Sequence, residues 1–141
     1  MRIGVSMTNF FATMTKQQAR NINSLVLAYV GDAVHSLFVR EKLASTHLKA
    51  GELHKIASNQ VNAHAQSQLA ESLLEHLTEE ERDVFMRGRN SKNTHVAKNQ
   101  TQRDYKLATG LEAVLGYLYL IGDMDRIKYL LQLVENNENE N

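Results

Sequence analysis

Two carboxylates stand out by the company they keep. Asp32 lies in Leu25-Val26-Leu27-Ala28-Tyr29-Val30-Gly31-Asp32-Ala33-Val34, where eight of ten residues are apolar and one is glycine. Glu112 is the single acid in the run Leu107 to Leu120, with Gly110 and Gly116 within about a turn of it. A stretch apolar on nearly every side reads as a buried helix. A carboxylate inside one must meet a cation, a metal ion or strong hydrogen bonds, because burying it alone is expensive. Each acid could be met by a lysine, an arginine or a backbone group, which would make the bundle merely structural. Brought together, the two would form a site for a hard divalent ion, which prefers carboxylate oxygens and keeps several waters. Such an ion activates water and stabilises charge on a phosphate, so phosphodiester hydrolysis is the reaction class this pair suggests.

The second feature is charge. From Met86 to Lys106 the cations are Arg87, Arg89, Lys92, Lys98, Arg103 and Lys106, and Asp104 is the sole acid. The chain's formal net charge is zero, so affinity for nucleic acid must come from such local clustering. Arg87, Arg89, Asn90, Lys92 and Lys98 are the candidate phosphate contacts. The alternative is a solvated loop whose charges serve solubility. Its lack of aromatic side chains argues against a stacking platform for single strands and for recognition of a duplex by shape and charge. The six histidines show no metal-ligand spacing, although His35, one turn after Asp32, could touch the site. No serine carries a nucleophile motif, and Arg87-Gly88-Arg89 is no phosphate-binding glycine loop.

The elements that must position these groups read as helices throughout. With 141 residues, no proline, no cysteine and many Ala, Leu, Gln, Glu and Lys, the composition favours one all-α domain. The lack of cysteine excludes disulfides and thiolate metal sites and suits a cytoplasmic protein. No run approaches a membrane span, and the N-terminus has no signal-peptide core. A short helix is expected after Thr15, then one from about Ser24 to Ser45. Ala50 to Leu77 reads as helix in two pieces bent near Ser58-Asn59-Gln60. Thr78 and Glu81 form a capping box for a helix ending near Gly88 to Asn90. Ser91 to Gln100 reads as a loop. The Glu112 helix spans about Thr101 to Ile121, ended by Gly122, and Asp123 caps a last helix through about Val134. Residues 1–14 are expected to be poorly ordered, 15–134 to form the domain, and 135–141 to be a disordered Glu/Asn tail.

At this point the residues resemble a known family. Leu27 to Val34 is similar to the signature helix of the ribonuclease III catalytic domain, and Glu112-Ala113-Val114-Leu115-Gly116-Tyr117 to that family's second acidic helix. Arg87-Gly88-Arg89-Asn90-Ser91-Lys92, with Lys98 and the run into Tyr105, is similar to the family's short Mini-ribonuclease III branch. The likeness covers about Asn21 to Val134. It implies an all-α bundle forming a two-fold homodimer, and a magnesium-dependent endonuclease cutting double-stranded RNA, with Mn2+ able to substitute for Mg2+. It implies Asp32 and Glu112 as catalytic and metal-binding residues. The usual family pattern has an acid one turn before the signature aspartate and another three residues before the late glutamate; here Ala28 and Thr109 stand there. That departure fits the short branch and leaves waters, Thr109 or substrate phosphate to complete the metal shell. The branch also implies a substrate, precursor ribosomal RNA of the large subunit trimmed at the stem pairing its ends, and an assisting ribosomal protein. With no separate RNA-binding domain in the sequence, the catalytic dimer is expected to make all RNA contacts. The competing expectation is a non-catalytic RNA-binding or ribosome-associated dimer on a fold that has lost half its acids.

Overall fold

The structure, a computed structural model, describes residues 10, 13–91 and 101–140; side chains of residues 60, 61, 63 and 134–140 are not described. Among the described residues there are seven α-helices, one 3-10 turn and no strand, as the composition predicts. They are α1 (Lys16–Arg20), α2 (Ser24–Ala44), α3 (Ala50–Val61), α4 (Ala63–Leu73), α5 (Glu79–Arg89), α6 (Gln102–Leu120) and α7 (Met124–Glu140), with the 3-10 turn at Leu74–His76.

Helix starts follow the caps read in the sequence. Thr15 and Thr78 each form a capping box, with Gln18 and Glu81 respectively, satisfying backbone donors that the first turn leaves open. Asn23 accepts from Leu25 N at 2.8 Å and Thr101 from Asp104 N at 3.0 Å. The bend expected at Ser58-Asn59-Gln60 falls at Asn62, which ends α3 with extended backbone and caps α4 through Ala65 N at 2.9 Å. Asparagine suits that double duty because its short amide competes with helix hydrogen bonding. α6 ends at Gly122, φ 80°, with Asp123 N bonded to Leu118 O and Gly122 N to Tyr119 O, the Schellman closure. α7 then runs to Glu140, beyond the expected end at Val134.

α6 is the axle. Every residue from 107 to 118 except Glu112 is buried, and α2, α4 and α5 all pack chiefly against it. The α2–α6 crossing is a backbone-to-backbone contact. A Cβ on Gly31 would lie 1.7 Å from the carbonyl oxygen of Glu112, and one on Gly116 would lie 2.0 Å from that of Leu27. The glycines flanking both acids are therefore there for close approach. α5 reaches the same helix through Gly88, where a Cβ would meet Ala113 Cβ at 2.9 Å, and through Phe85, whose ring sits against Gly110. A part-buried ion pair ties α7 to α5: Arg126 grips both oxygens of Glu81 at 2.8 and 2.9 Å and donates to His76 O at 2.8 Å.

One expectation fails in the single chain. α2 is not buried all round: Tyr29 is 81% exposed, Leu37 56% and Val26 51%, and Asp32 itself is exposed. Buried residues Leu27, Ala28, Gly31, His35 and Val39 mark one stripe only. The apolar run thus carries two faces, one on α6 and one facing outward, and pattern alone cannot separate them. Placing any side chain at the crossing must push apart two backbones. Gly31→Ala and Gly116→Ala are each expected to cost about 3 kcal/mol, at the upper end of overpacking penalties, read from urea unfolding midpoints at unchanged m-value; a loss under 1 kcal/mol would refute the contact.

Candidate active site

The crossing brings the two acids together. Asp32 follows Gly31 directly, and Gly31 lies on the backbone of Glu112. Glu112 is partly buried; its carboxyl is pushed up to about 8, first by burial and second by the negative charge of Asp32. A desolvated carboxyl with a second acid close enough to oppose its ionisation forms an arrangement that a cation would relieve.

The positions where acids would enlarge the set are closed. Ala28 is buried, and Thr109 is buried with its hydroxyl donating to Tyr105 O at 2.8 Å. Thr109, expected with waters and substrate phosphate among the groups that could complete a metal shell, turns its hydroxyl proton to its own helix. No group of three or more His, Cys, Asp or Glu side chains able to hold a metal occurs among the described residues. Two oxygen donors with open positions around them suit a hard divalent ion that retains waters and takes substrate phosphate as ligand.

His35 has its partner on α4. It is buried, and its Nδ1 sits 3.3 Å from Gln66 Nε2 of α4. Burial pushes the imidazole down to about 4, so it is neutral, and Gln66 donates to the ring nitrogen. Of the candidate phosphate contacts, Arg87 is engaged within the fold: Nη1 donates to Arg20 O at 3.0 Å, and Nε lies 3.7 Å from Asp83. Arg89 is exposed on the last turn of α5, and Asn90 is exposed as its C-cap. That turn abuts the part of α6 bearing Glu112, since Gly88 lies against Thr109 and Ala113. Lys92 and Lys98, with most of the expected loop, lie outside the described residues.

Sequence reading missed one polar cluster. Asp104 accepts from Ser67 Oγ at 2.8 Å on one oxygen and stands 3.0 Å from His64 Nδ1 on the other. His64 and Ser67 share a face of α4 at i, i+3 spacing, but nothing in the sequence pairs α4 with the first turn of α6.

A helical bundle with opposed carboxylates on two crossing core helices and a basic helix end beside them belongs to the ribonuclease III family: the Ribonuclease III domain model matches residues 25–123. The chain is therefore an endoribonuclease of that family. Within the family it is similar to proteins named Mini-ribonuclease 3. That of Clostridium tetani is 43% identical over 136 residues, covering 90% of each chain. That of Brevibacillus brevis is 46% identical over 111 residues, covering 78% of this chain and 83% of the relative. The fold is also that of a Fusobacterium nucleatum protein solved by crystallography, with a TM-score of 0.77 at 31% identity over 84% of this chain and 96% of the other.

The raised carboxyl makes a thermodynamic prediction. A group protonated more readily in the folded than in the unfolded state stabilises the fold at low pH, and that contribution is lost as pH rises from about 4.5 towards 8. In metal-free buffer, Glu112→Gln is expected to match wild type near pH 4.5 and to exceed it at pH 8 by on the order of 2 kcal/mol. Equal stability of the two at pH 8 in denaturant titrations would refute the assignment.

Proposed function

We propose that this endoribonuclease cuts double-stranded RNA with the help of a divalent cation, Mg2+ or in its place Mn2+, held by Asp32 and Glu112. The observation carrying this is the convergence of those two carboxylates at the Gly31–Gly116 crossing, beside a basic helix end. The bound ion would supply an activated water and charge stabilisation on the phosphate. The chain's own part is to hold the two carboxylates in fixed register, to leave the remaining coordination positions open, and to keep Glu112 desolvated so that it ionises where a cation balances its charge. Arg89 and its neighbour Asn90, exposed at the end of α5, would contact the backbone of the bound strand. Lys92 and Lys98 remain candidates by sequence.

We further propose a homodimer through the outward face of α2, where Val26, Tyr29 and Leu37 share one stripe. A patch of this kind marks an interface, and a two-fold axis would set one active site against each strand of a duplex. From the family resemblance alone, the substrate we propose is the end-pairing stem of large-subunit precursor ribosomal RNA, acted on in the cytoplasm with a ribosomal protein assisting. The non-catalytic reading rests on Ala28 and Thr109; it gains nothing from the geometry, since the remaining pair is intact.

Asp32→Asn is expected to lower cleavage of a labelled RNA duplex in magnesium by at least about a thousandfold, by analogy with loss of other transition-state charge stabilisers, with a circular dichroism melt like wild type. Wild-type-like cutting by this variant would refute the site, and equal cutting of single strands would refute the substrate. Calcium or magnesium is expected to raise the melting temperature of wild type and not of Asp32→Asn. Tyr29→Glu is expected to sediment as a monomer where wild type sediments as a dimer; an unchanged sedimentation coefficient would exclude α2 as the interface.

A further inference from the structure

The cluster His64–Asp104–Ser67 lies outside the carboxylate pair and has a specific construction. Asp104 sits at the third position of α6, its backbone N–H taken by Thr101 Oγ1 at 3.0 Å. One carboxylate oxygen accepts from Ser67 Oγ, which is buried. The other stands 3.0 Å from His64 Nδ1. Hydrogen bonds from His64 and Ser67 hold the Asp104 carboxyl below the usual carboxylate range, so it is a charged acceptor. The imidazole side chain is 70% exposed while that of Asp104 is 15% exposed. An exposed ring is thus held by one nitrogen on a buttressed anion, with the other turned away from it. A protonated ring on this anchor donates from Nδ1 to Asp104 and has a second N–H to give from Nε2. That donor is fixed in direction, because the ring orientation is set by the anchor.

Its position relative to the acids follows from α6. Asp104 and Glu112 are eight residues apart, about 12 Å along the axis. Residues 102 to 106 of α6 are exposed or partly buried, residues 107 to 111 are buried, and Glu112 is partly buried, so the helix opens at its first turn and again at the carboxylate pair. The cations Arg103 and Lys106 stand on that first turn, and Arg103 is paired with Glu71 of α4. His64 stands beside that first turn, through Asp104. Resting on the nuclease reading above, we infer that His64 is a phosphate contact for the RNA strand lying over α6, a few nucleotides from the cleaved bond, with Asp104 and Ser67 as its positioning residues.

The test is binding of a fluorescent RNA duplex in EDTA at about pH 6, over a salt series from roughly 50 to 200 mM, for wild type, His64→Gln and His64→Lys. Each phosphate neutralised adds about 0.9 to the slope of log affinity against log salt for duplex DNA, and loss of one contact lowers the slope by about one. His64→Gln is expected to show that reduction with severalfold weaker binding at low salt, while His64→Lys keeps the wild-type slope. Magnesium-dependent cleavage by His64→Gln is expected to lose efficiency through a severalfold raised KM for duplex, which His64→Lys restores. Superimposable salt series for wild type and His64→Gln, in a protein that still cuts duplex, would overturn the inference and leave the nuclease reading intact. A wild type that neither binds nor cuts duplex would overturn both.

Discussion

The rest of the molecule depends on two helices touching without side chains between them. At Gly31 and Gly116 the backbones of α2 and α6 meet more closely than any Cβ would permit. Packed interiors do not yield smoothly to an inserted methyl group, so this contact sets the separation and the register of the two helices together. The register has a chemical result. It places the residue after Gly31 beside the helix turn that carries Glu112, and the two acids then share one small volume. Other elements reinforce the axle from further sides: α5 through Phe85 and Gly88, and α4 through buried Ser67 on Asp104.

That shared volume is electrostatically unfavourable without a counter-charge. The acids differ in exposure, Asp32 open to solvent and Glu112 partly buried. The withdrawn member pays desolvation and is repelled by its neighbour, so it tends to hold a proton at neutral pH. Burial also weakens screening, so the pair attracts a cation more strongly than two surface carboxylates would. The fold tolerates this local penalty because α6 is otherwise apolar and fully packed from 107 to 118.

Much of this was readable from the chain. The helices, their caps and the stop at Gly122 follow from local rules, because a capping residue and a positive-φ glycine act within one turn. Asp32 and Glu112 were conspicuous because acids in apolar helices are rare. The exposure of Asp32 was not legible: Val26, Tyr29 and Leu37 are as apolar as Leu27 and Val39, and only the packing of α6 decides which stripe is covered. Arg87 looked like a free cation, yet it is committed to Arg20 O, a partner 67 residues away. The His64–Asp104 pair escaped for the same reason, since it joins residues 40 apart in the chain. Thr109 shows the reverse: its back-bond to Tyr105 is local, at i−4, and a threonine inside a helix commonly makes it.

The junction at Asn62 also divides the molecule by strength. α4, beyond it, is anchored on α6, whereas α3, before it, packs on α2 and on α4 and has no substantial contact with the axle. Of the α3 side chains described, Ala57 alone is buried. Few apolar contacts mean a low free energy of local opening. α3 therefore forms a weakly held flap whose amides exchange with solvent well before those of α6. Because one capping residue ends α3 and starts α4, the flap can unfold up to Asn62 and stop there. The carboxylate pair, set by the crossing of α2 and α6, keeps its geometry when α3 opens.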